Sequence, residues 1–379
     1  MHRLLGYLVL AAVPFSLSAQ SSEFGIRGLG NPYRGASATA LGTGGSFASF
    51  DGTSSLNPAS LGSLTSLTAT FTTLTEWRKW EAPTGNASLR DSRFPAFLVA
   101  GPVRRAHLVI GAGFSSYADR DYDAFRRDTV VLGGQPVEVF DSIGATGGIT
   151  DLRGVVAWRP SSEWVIGVSL HLLPGSNRVS VRRTFSDTSF RGVIYKSELS
   201  YNAFGADLGV IRRFGSSALI ALSVRSDGQT RQQVDSLANV ISVDLPYTFS
   251  AAALLRPSTR LQIGLQGVYR TWSGANSDLL RLGLPGSRNN LDLSAGFEYR
   301  TRPSADQLPL RLGAHYSQMP FALETGQYPD EFGISAGTGA RFARGRGALE
   351  FALEEIWRSD PVGRKERATI LSFQVILRP

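Results

Sequence analysis

The sequence predicts an all-β protein, a transmembrane antiparallel β-barrel of about 14 strands preceded by an N-terminal segment. Several segments alternate apolar and polar residues with a period of two, and short turns separate them at long, regular intervals. A glycine-rich stretch also precedes the first alternating segment, carrying shaped backbone without a core of its own.

The opening run "MHRLLGYLVLAAVPFSLSAQ" has a basic residue at Arg3, apolar residues from Leu4 to Phe15, and small residues before Ala19. That layout predicts a secretory signal peptide over 1–19, because Pro14 and Ser16 interrupt the run before the roughly 20 apolar residues that a helical span needs. Residues 20–64 then form the N-terminal segment, and 65–379 the barrel.

Composition narrows the class. The chain has no cysteine, which excludes disulfides, thiolate metal sites and a cysteine nucleophile. Only 18% of residues are charged, while 42% are hydrophobic and 41 are glycine, which is light in charge for a soluble protein of this length. The net charge is +8, almost all from arginine, spread in ones and twos along the chain. A nucleic-acid partner would need those charges on one face, so the expected surroundings are outer-membrane lipid, with arginine lining a polar interior and meeting anionic head groups.

Alternation is clearest in "LDLSAGFEYR", where Leu291, Leu293, Ala295, Phe297 and Tyr299 oppose Asp292, Ser294, Gly296, Glu298 and Arg300. "LQIGLQGVYR" and "ILSFQVILRP" repeat the pattern. The short turns are "PVRRAH", "RPSSEW", "RRFGSS", "RPSTR", "RPSADQLP" and "ARGRG". Their separation of roughly 40 to 57 residues leaves room for two strands of about 10 residues and one long loop, whereas sandwich strands arrive about every 8 to 12 residues.

The first set of strands is expected at Leu67–Trp77, Phe94–Val103, His107–Tyr117, Ile149–Trp158, Val165–Leu173, Leu199–Arg213 and Ser217–Arg225. The second set is expected at Tyr247–Leu255, Leu261–Trp272, Leu291–Arg300, Leu310–Gln318, Gly333–Phe342, Ala348–Trp357 and Ala368–Leu377. Short turns and both termini then share the periplasmic rim, and the long loops share the other. Trp77, Trp80, Trp158, Trp164, Trp272 and Trp357 fall near strand ends, as interfacial girdles require. The chain closes on Leu377, Arg378 and Pro379 without the terminal aromatic of many barrels, although Phe373 and Leu377 keep the lipid-facing phase.

The hatch sequence "FGIRGLGNPYRGASATALGTGGSFASFDGTSSLNPASLGSL" resembles the N-terminal region of the FadL/TodX-type outer-membrane proteins, through Gly28, Gly30, Gly42, Gly44, Gly45, Ala48, Asp51, Asn57, Pro58, Ala59 and Leu61. "LPLRLGAHYSQMP" resembles a late strand of the same family through Pro309, Leu310, Arg311, Gly313, Tyr316 and Pro320. The resemblance implies that residues 20–64 form a hatch (plug) in the lumen of a monomeric barrel in the bacterial outer membrane, which takes up hydrophobic small-molecule ligands such as long-chain fatty acids passively, past the movable hatch and out through a kinked wall. The related PorV-type barrels share the N-terminal pattern, and for them the implied role is an adaptor for surface-protein partners in secretion.

The candidate ligand-binding and hatch residues are Phe24, Arg27, Arg34, Phe47, Phe50, Asp51, Asn57, Pro58 and Ala59. The phenylalanines offer apolar contacts. Arg27 and Arg34 either meet a ligand carboxylate or pair with wall Asp or Glu. Asn57, Pro58 and Ala59 close the hatch and turn the chain toward the wall, proline denying the backbone an early strand. Leu279, Leu280, Leu282 and Leu284 form an apolar patch in a long loop, either for ligand or for self-packing.

An enzyme is not expected. The four histidines include His107, His171 and His315 on separate strands, unlinked by motif to a serine, and no Walker loop precedes Lys79, Lys196 or Lys365. Asp119, Asp121 and Asp123 alternate like half a calcium loop, but Ala124 and Val130 stand where glycine and glutamate are required, so neither metal nor cofactor is expected.

Overall fold

The computed structural model describes residues 23–25, 28–34, 36–82, 85–103, 106–234, 240–281, 283–301, 308–324 and 326–379. The predicted signal peptide, 1–19, lies outside them, as do Arg27 and Leu282.

The strands, in chain order, are β1 (Asn31–Pro32), β2 (Thr68–Ala82), β3 (Gly85–Val103), β4 (Leu108–Asp119), β5 (Tyr122–Leu132), β6 (Gln135–Trp158) and β7 (Trp164–Leu172). Next come β8 (Gly175–Phe185), β9 (Val193–Asn202), β10 (Phe204–Phe214), β11 (Ala218–Ser226), β12 (Gln229–Val234), β13 (Val240–Asp244) and β14 (Tyr247–Leu255). The last are β15 (Leu261–Arg270), β16 (Asn290–Arg300), β17 (Pro309–Gln318), β18 (Asp330–Phe342), β19 (Gly347–Ser359) and β20 (Lys365–Leu377).

Fourteen of these form a closed antiparallel wall, running β2, β3, β4, β6, β7, β10, β11 and then β14 to β20. The seam pairs β20 with β2 from Ala69↔Leu377 to Glu81↔Lys365. Closure gives every wall strand a partner on each side, which a lipid-embedded sheet requires. Alternation sets the faces: on β10, Leu208 is exposed outward while Asp207, Gly209 and Ile211 are buried inward.

The other strands, except β1, continue the wall upward on one side only. β5, the first half of β6, β8, β9, β12 and β13 pair in that order above β4 to β14. Segments such as "GSNRVSVRRTF" and "VIYKSELSYN" lack an apolar face, so periodicity did not predict them as strands. Two expected elements are also corrected. Leu199–Arg213 divides at Ala203, whose backbone exchanges hydrogen bonds with Leu173 where the wall bends. The expected loop after Trp77 is instead the continuation of β2 and β3 as paired strands to Ala82 and Gly85.

The bend gathers an apolar cap inside the wall. Leu173, Ala203, Val243 and Leu245 pack there with Leu29, Trp272, Leu279 and Phe321, the Trp272 and Phe321 rings meeting edge to face at 4.9 Å. Leu279 belongs to the short helix α2 (Asn276–Arg281), so the loop leucine patch is partly self-packed: Leu284 joins the cap and Leu280 stays exposed.

Below the cap, the N-terminal segment fills the lumen. Helix α1 (Ala38–Leu41) lies against β18 and β19, and the 3-10 turn Pro58–Ser63 against β6, β7 and β10. Glycine on the inward face permits this approach. A side chain at Gly296 or Gly313 would collide with the backbone of Thr43, and one at Gly167 with that of Pro58 and Ala59. A Gly313→Leu substitution is therefore expected to cost about 1–3 kcal/mol through overpacking, while Gly154→Leu, where no atom approaches, costs under about 0.5 kcal/mol. Denaturant unfolding of the two variants in detergent checks the contrast.

Candidate functional site

The site is assembled where the N-terminal segment meets an interruption in the wall. From Val103↔Leu108 to Ala96↔Ser115, β3 and β4 pair normally; above this the ladder between them stops. The cause is local. Pro95 supplies no N–H, and the register of β2 against β3 shifts between Thr72 and Leu74, opposite Phe94 and Pro95. The released edge of β4 is taken by β1, with Asn31↔Asp119 and Pro32↔Ala118, and the Tyr33 N–H donates to the Tyr117 carbonyl at 2.9 Å. Part of the hatch thus stands in for a wall strand.

Across the opening, Arg93 of β3 forms an ion pair with Asp119 of β4. On the lipid side Phe94 is 62% exposed and lies 5.1 Å from the Phe71 ring. On the lumen side a cavity of about 100 Å³ runs from Tyr33 and Arg34 to Arg93 and Asp119, with Leu74, Met319 and Ile356 among its apolar lining. A second cavity of about 60 Å³ lies between Tyr33, Leu56, Tyr117 and Trp272.

Buried ion pairs surround these cavities in two groups, each centred on a histidine between carboxylates. His315 Nε2 lies 3.0 Å from Glu331, and its Nδ1 3.3 Å from Glu354. Glu331 accepts from Arg358 at 2.6 Å, and Glu354 accepts from Arg34 at 2.5 and 2.6 Å. On the opposite wall His171 Nδ1 lies 2.7 Å from Asp151, which also accepts from Arg225 at 2.7 Å. Charges as deeply buried as these are stable when paired and hydrogen-bonded.

Ser169 lies 2.7 Å from His171 Nε2, so serine, histidine and aspartate occur in hydrolase-like order. The serine hydroxyl donates to Asp207, however, and both Ser169 and His171 are buried, so neither activation nor substrate access is provided. Sequence reading missed this link because it sought a motif, not alternate residues on one strand.

The predicted site residues have distinct places. Phe24 packs with Met319 and Leu323 near the cap, whereas Phe47 and Ala59 join Ile211, Leu219 and Leu254 lower down, with Phe50 against them. Asp51 accepts from Ser37 and from the Thr53 N–H at 2.9 Å, holding the hatch to itself. Asn57 caps the following turn, its side chain accepting from the Ala59 N–H at 2.9 Å, and Pro58 takes the first position, where a missing N–H costs nothing. Arg34 pairs with the wall through Glu354, and Arg27 lies outside the described residues. Arg93, Pro95 and Asp119 were not among the predicted site residues, although a proline inside the alternating "RFPAFLVAG" was a legible sign of a broken strand. Asp91, Asp119 and Asp121 converge within 4.8 Å, but Asp119 is engaged by Arg93 and Asp121 accepts the Gly147 N–H. The Asp123 side chain lies outside the described residues.

No protein-family model and no curated protein matches the sequence. Among solved structures, the chain is similar to a FadL homologue of Pseudomonas aeruginosa, with a TM-score of 0.63 at 12% identity, covering 90% of this chain and 98% of that one. It is likewise similar to the Ralstonia pickettii toluene transporter TbuX, with a TM-score of 0.60 at 12% identity over 91% and 98% of the two chains. The Pseudomonas putida toluene transporter TodX gives 0.58 at 12% over 92% and 99%. The fold is therefore the FadL/TodX-type barrel.

Removing Arg34 leaves Glu354 buried without its cation, a loss of about 3–5 kcal/mol in comparable pairs. Arg34→Ala is expected to loosen the hatch and raise basal ion conductance in planar bilayers, and Arg34→Ala/Glu354→Ala to leak less than the single variant.

Proposed function

We propose that the chain is an outer-membrane channel for passive uptake of hydrophobic small molecules, acting as a monomer and releasing its ligand sideways between β3 and β4. The observation that carries this reading is the interrupted ladder at Pro95, which has a cavity on its lumen side and exposed phenylalanine on its lipid side. An apolar solute that reaches the opening moves from protein into hydrocarbon without crossing water, so no energy source is needed. The likeness in fold to toluene transporters supports this substrate class.

The cavities of about 100 and 60 Å³ are smaller than the roughly 150 Å³ in which an engineered protein cavity binds benzene. A long-chain fatty acid therefore passes only when the hatch moves. Movement requires β1 to leave the edge of β4, Arg34 to leave Glu354 and Arg93 to leave Asp119. Residues 20–64 act here as the hatch.

Uptake into liposomes of toluene, a long-chain fatty acid and a small sugar checks the assignment. Both hydrophobes are expected to enter and the sugar to be excluded. Deleting 20–64 should leave an inserted barrel that admits all three. Passage of none by the intact chain, together with stable capture of surface proteins, transfers the function to secretion.

A further inference from the structure

We propose that the short-turn mouth of the barrel docks an acidic segment of a soluble periplasmic protein. This rests on the orientation given above, with that mouth in the periplasm, and is independent of what the channel carries.

All the short turns contain arginine, among them Arg159, Arg212, Arg213, Arg256, Arg260, Arg344 and Arg346. Alternation sorts such residues by face. On β10, Arg212 shares the lipid side with Leu208 and lies over the rings of Trp164 and Phe214 at 4.9 and 4.6 Å, so Arg213 points inward. The same count carries Arg256, which follows β14, to the lumen side. Arg300, Arg311, Arg341 and Arg378 line a cavity of about 470 Å³ at this mouth, bordered by Asp51 and Thr53 of the N-terminal segment. From β10 to β20 the wall has eight strand spacings, so the arc of arginines extends on the order of 40 Å.

Its charge is incompletely balanced. Glu298 accepts from Arg300 and Arg311 at 2.8 Å, and Glu350 accepts from Arg311 at 2.6 Å. Among the described residues, Arg213, Arg256, Arg341 and Arg378 have no carboxylate within ion-pair distance. The Arg256 Nε is buried without a hydrogen-bond partner. Burial draws its guanidinium below the ordinary value, and repulsion from Arg213 and Arg300 adds to this.

The geometry selects among anionic partners. Bilayer phosphates lie outside the wall, whereas these side chains face its interior. A small organic anion reaches two or three guanidinium groups, not an arc of this length. A polypeptide bearing several Asp or Glu residues neutralises the whole arc, and long-range attraction would steer it to the mouth.

The test uses the purified protein in phosphatidylcholine nanodiscs and a fluorescently labelled peptide of alternating Glu and Gly, with an uncharged Gly-Ser peptide of equal length as control. The acidic peptide is expected to bind and to lose at least about tenfold in affinity as salt rises from about 0.05 to about 0.3 M. Arg213→Gln/Arg256→Gln/Arg341→Gln should weaken it at least about tenfold, and Arg212→Gln by less than about twofold. Heat-modifiable electrophoretic mobility reports folding, and should the triple variant misfold, the exposed Arg341→Gln alone should still weaken binding measurably. Absence of salt-dependent binding, equal effects of the inward and outward variants, or abolition of binding by phosphatidylglycerol in the nanodisc overturns the proposal. Because the assay measures no transport, failure of the uptake reading leaves it standing.

Discussion

The architecture depends on one constraint: a peptide group in hydrocarbon has no partner other than another peptide group. The seam between β20 and β2 follows from it, and so does the treatment of the interruption at β3 and β4. Pro95 deprives the edge of a donor, and the exposed side of β4 is then occupied by Asn31 and Pro32. The hatch is bound where the wall is deficient, so lateral opening as proposed above would require β1 to leave the edge of β4.

The interior follows the complementary logic. Around the cavities the buried charges facing the lumen are matched, carboxylate to arginine, with His171 and His315 each bridging two acids. Above them lies the apolar cap around Trp272 and Phe321, below them the small-residue backbone of the hatch. On the function proposed above, a hydrophobic ligand entering from the loop side would meet an apolar layer before a polar one, and the polar layer would turn it toward the wall instead of along the axis.

Much of this was legible in the sequence, for physical reasons. Lipid on one side and a polar interior on the other impose strict alternation, so the seven wall strands from β14 to β20 were readable to within three residues at each end. The Asn57-Pro58-Ala59 turn was readable because capping is local chemistry. The strands β5, β8, β9, β12 and β13 were not, since they stand beyond the membrane and neither face needs to be apolar. Nor were the partners of Arg34 and Arg93, because Glu354 and Asp119 are brought to them by barrel closure and local separation carries no trace of it.

The outward face of the wall also explains how so distant a sequence keeps this fold. Hydrocarbon does not distinguish Leu208 from a phenylalanine or a valine, so an outward position conveys little more than a binary instruction, apolar or not. Information is concentrated instead at the inward glycines that admit the hatch, at the ion pairs and at Pro95. An identity of 12% over about nine-tenths of the chain is compatible with one shape because about half of the wall is written in an alphabet of two letters.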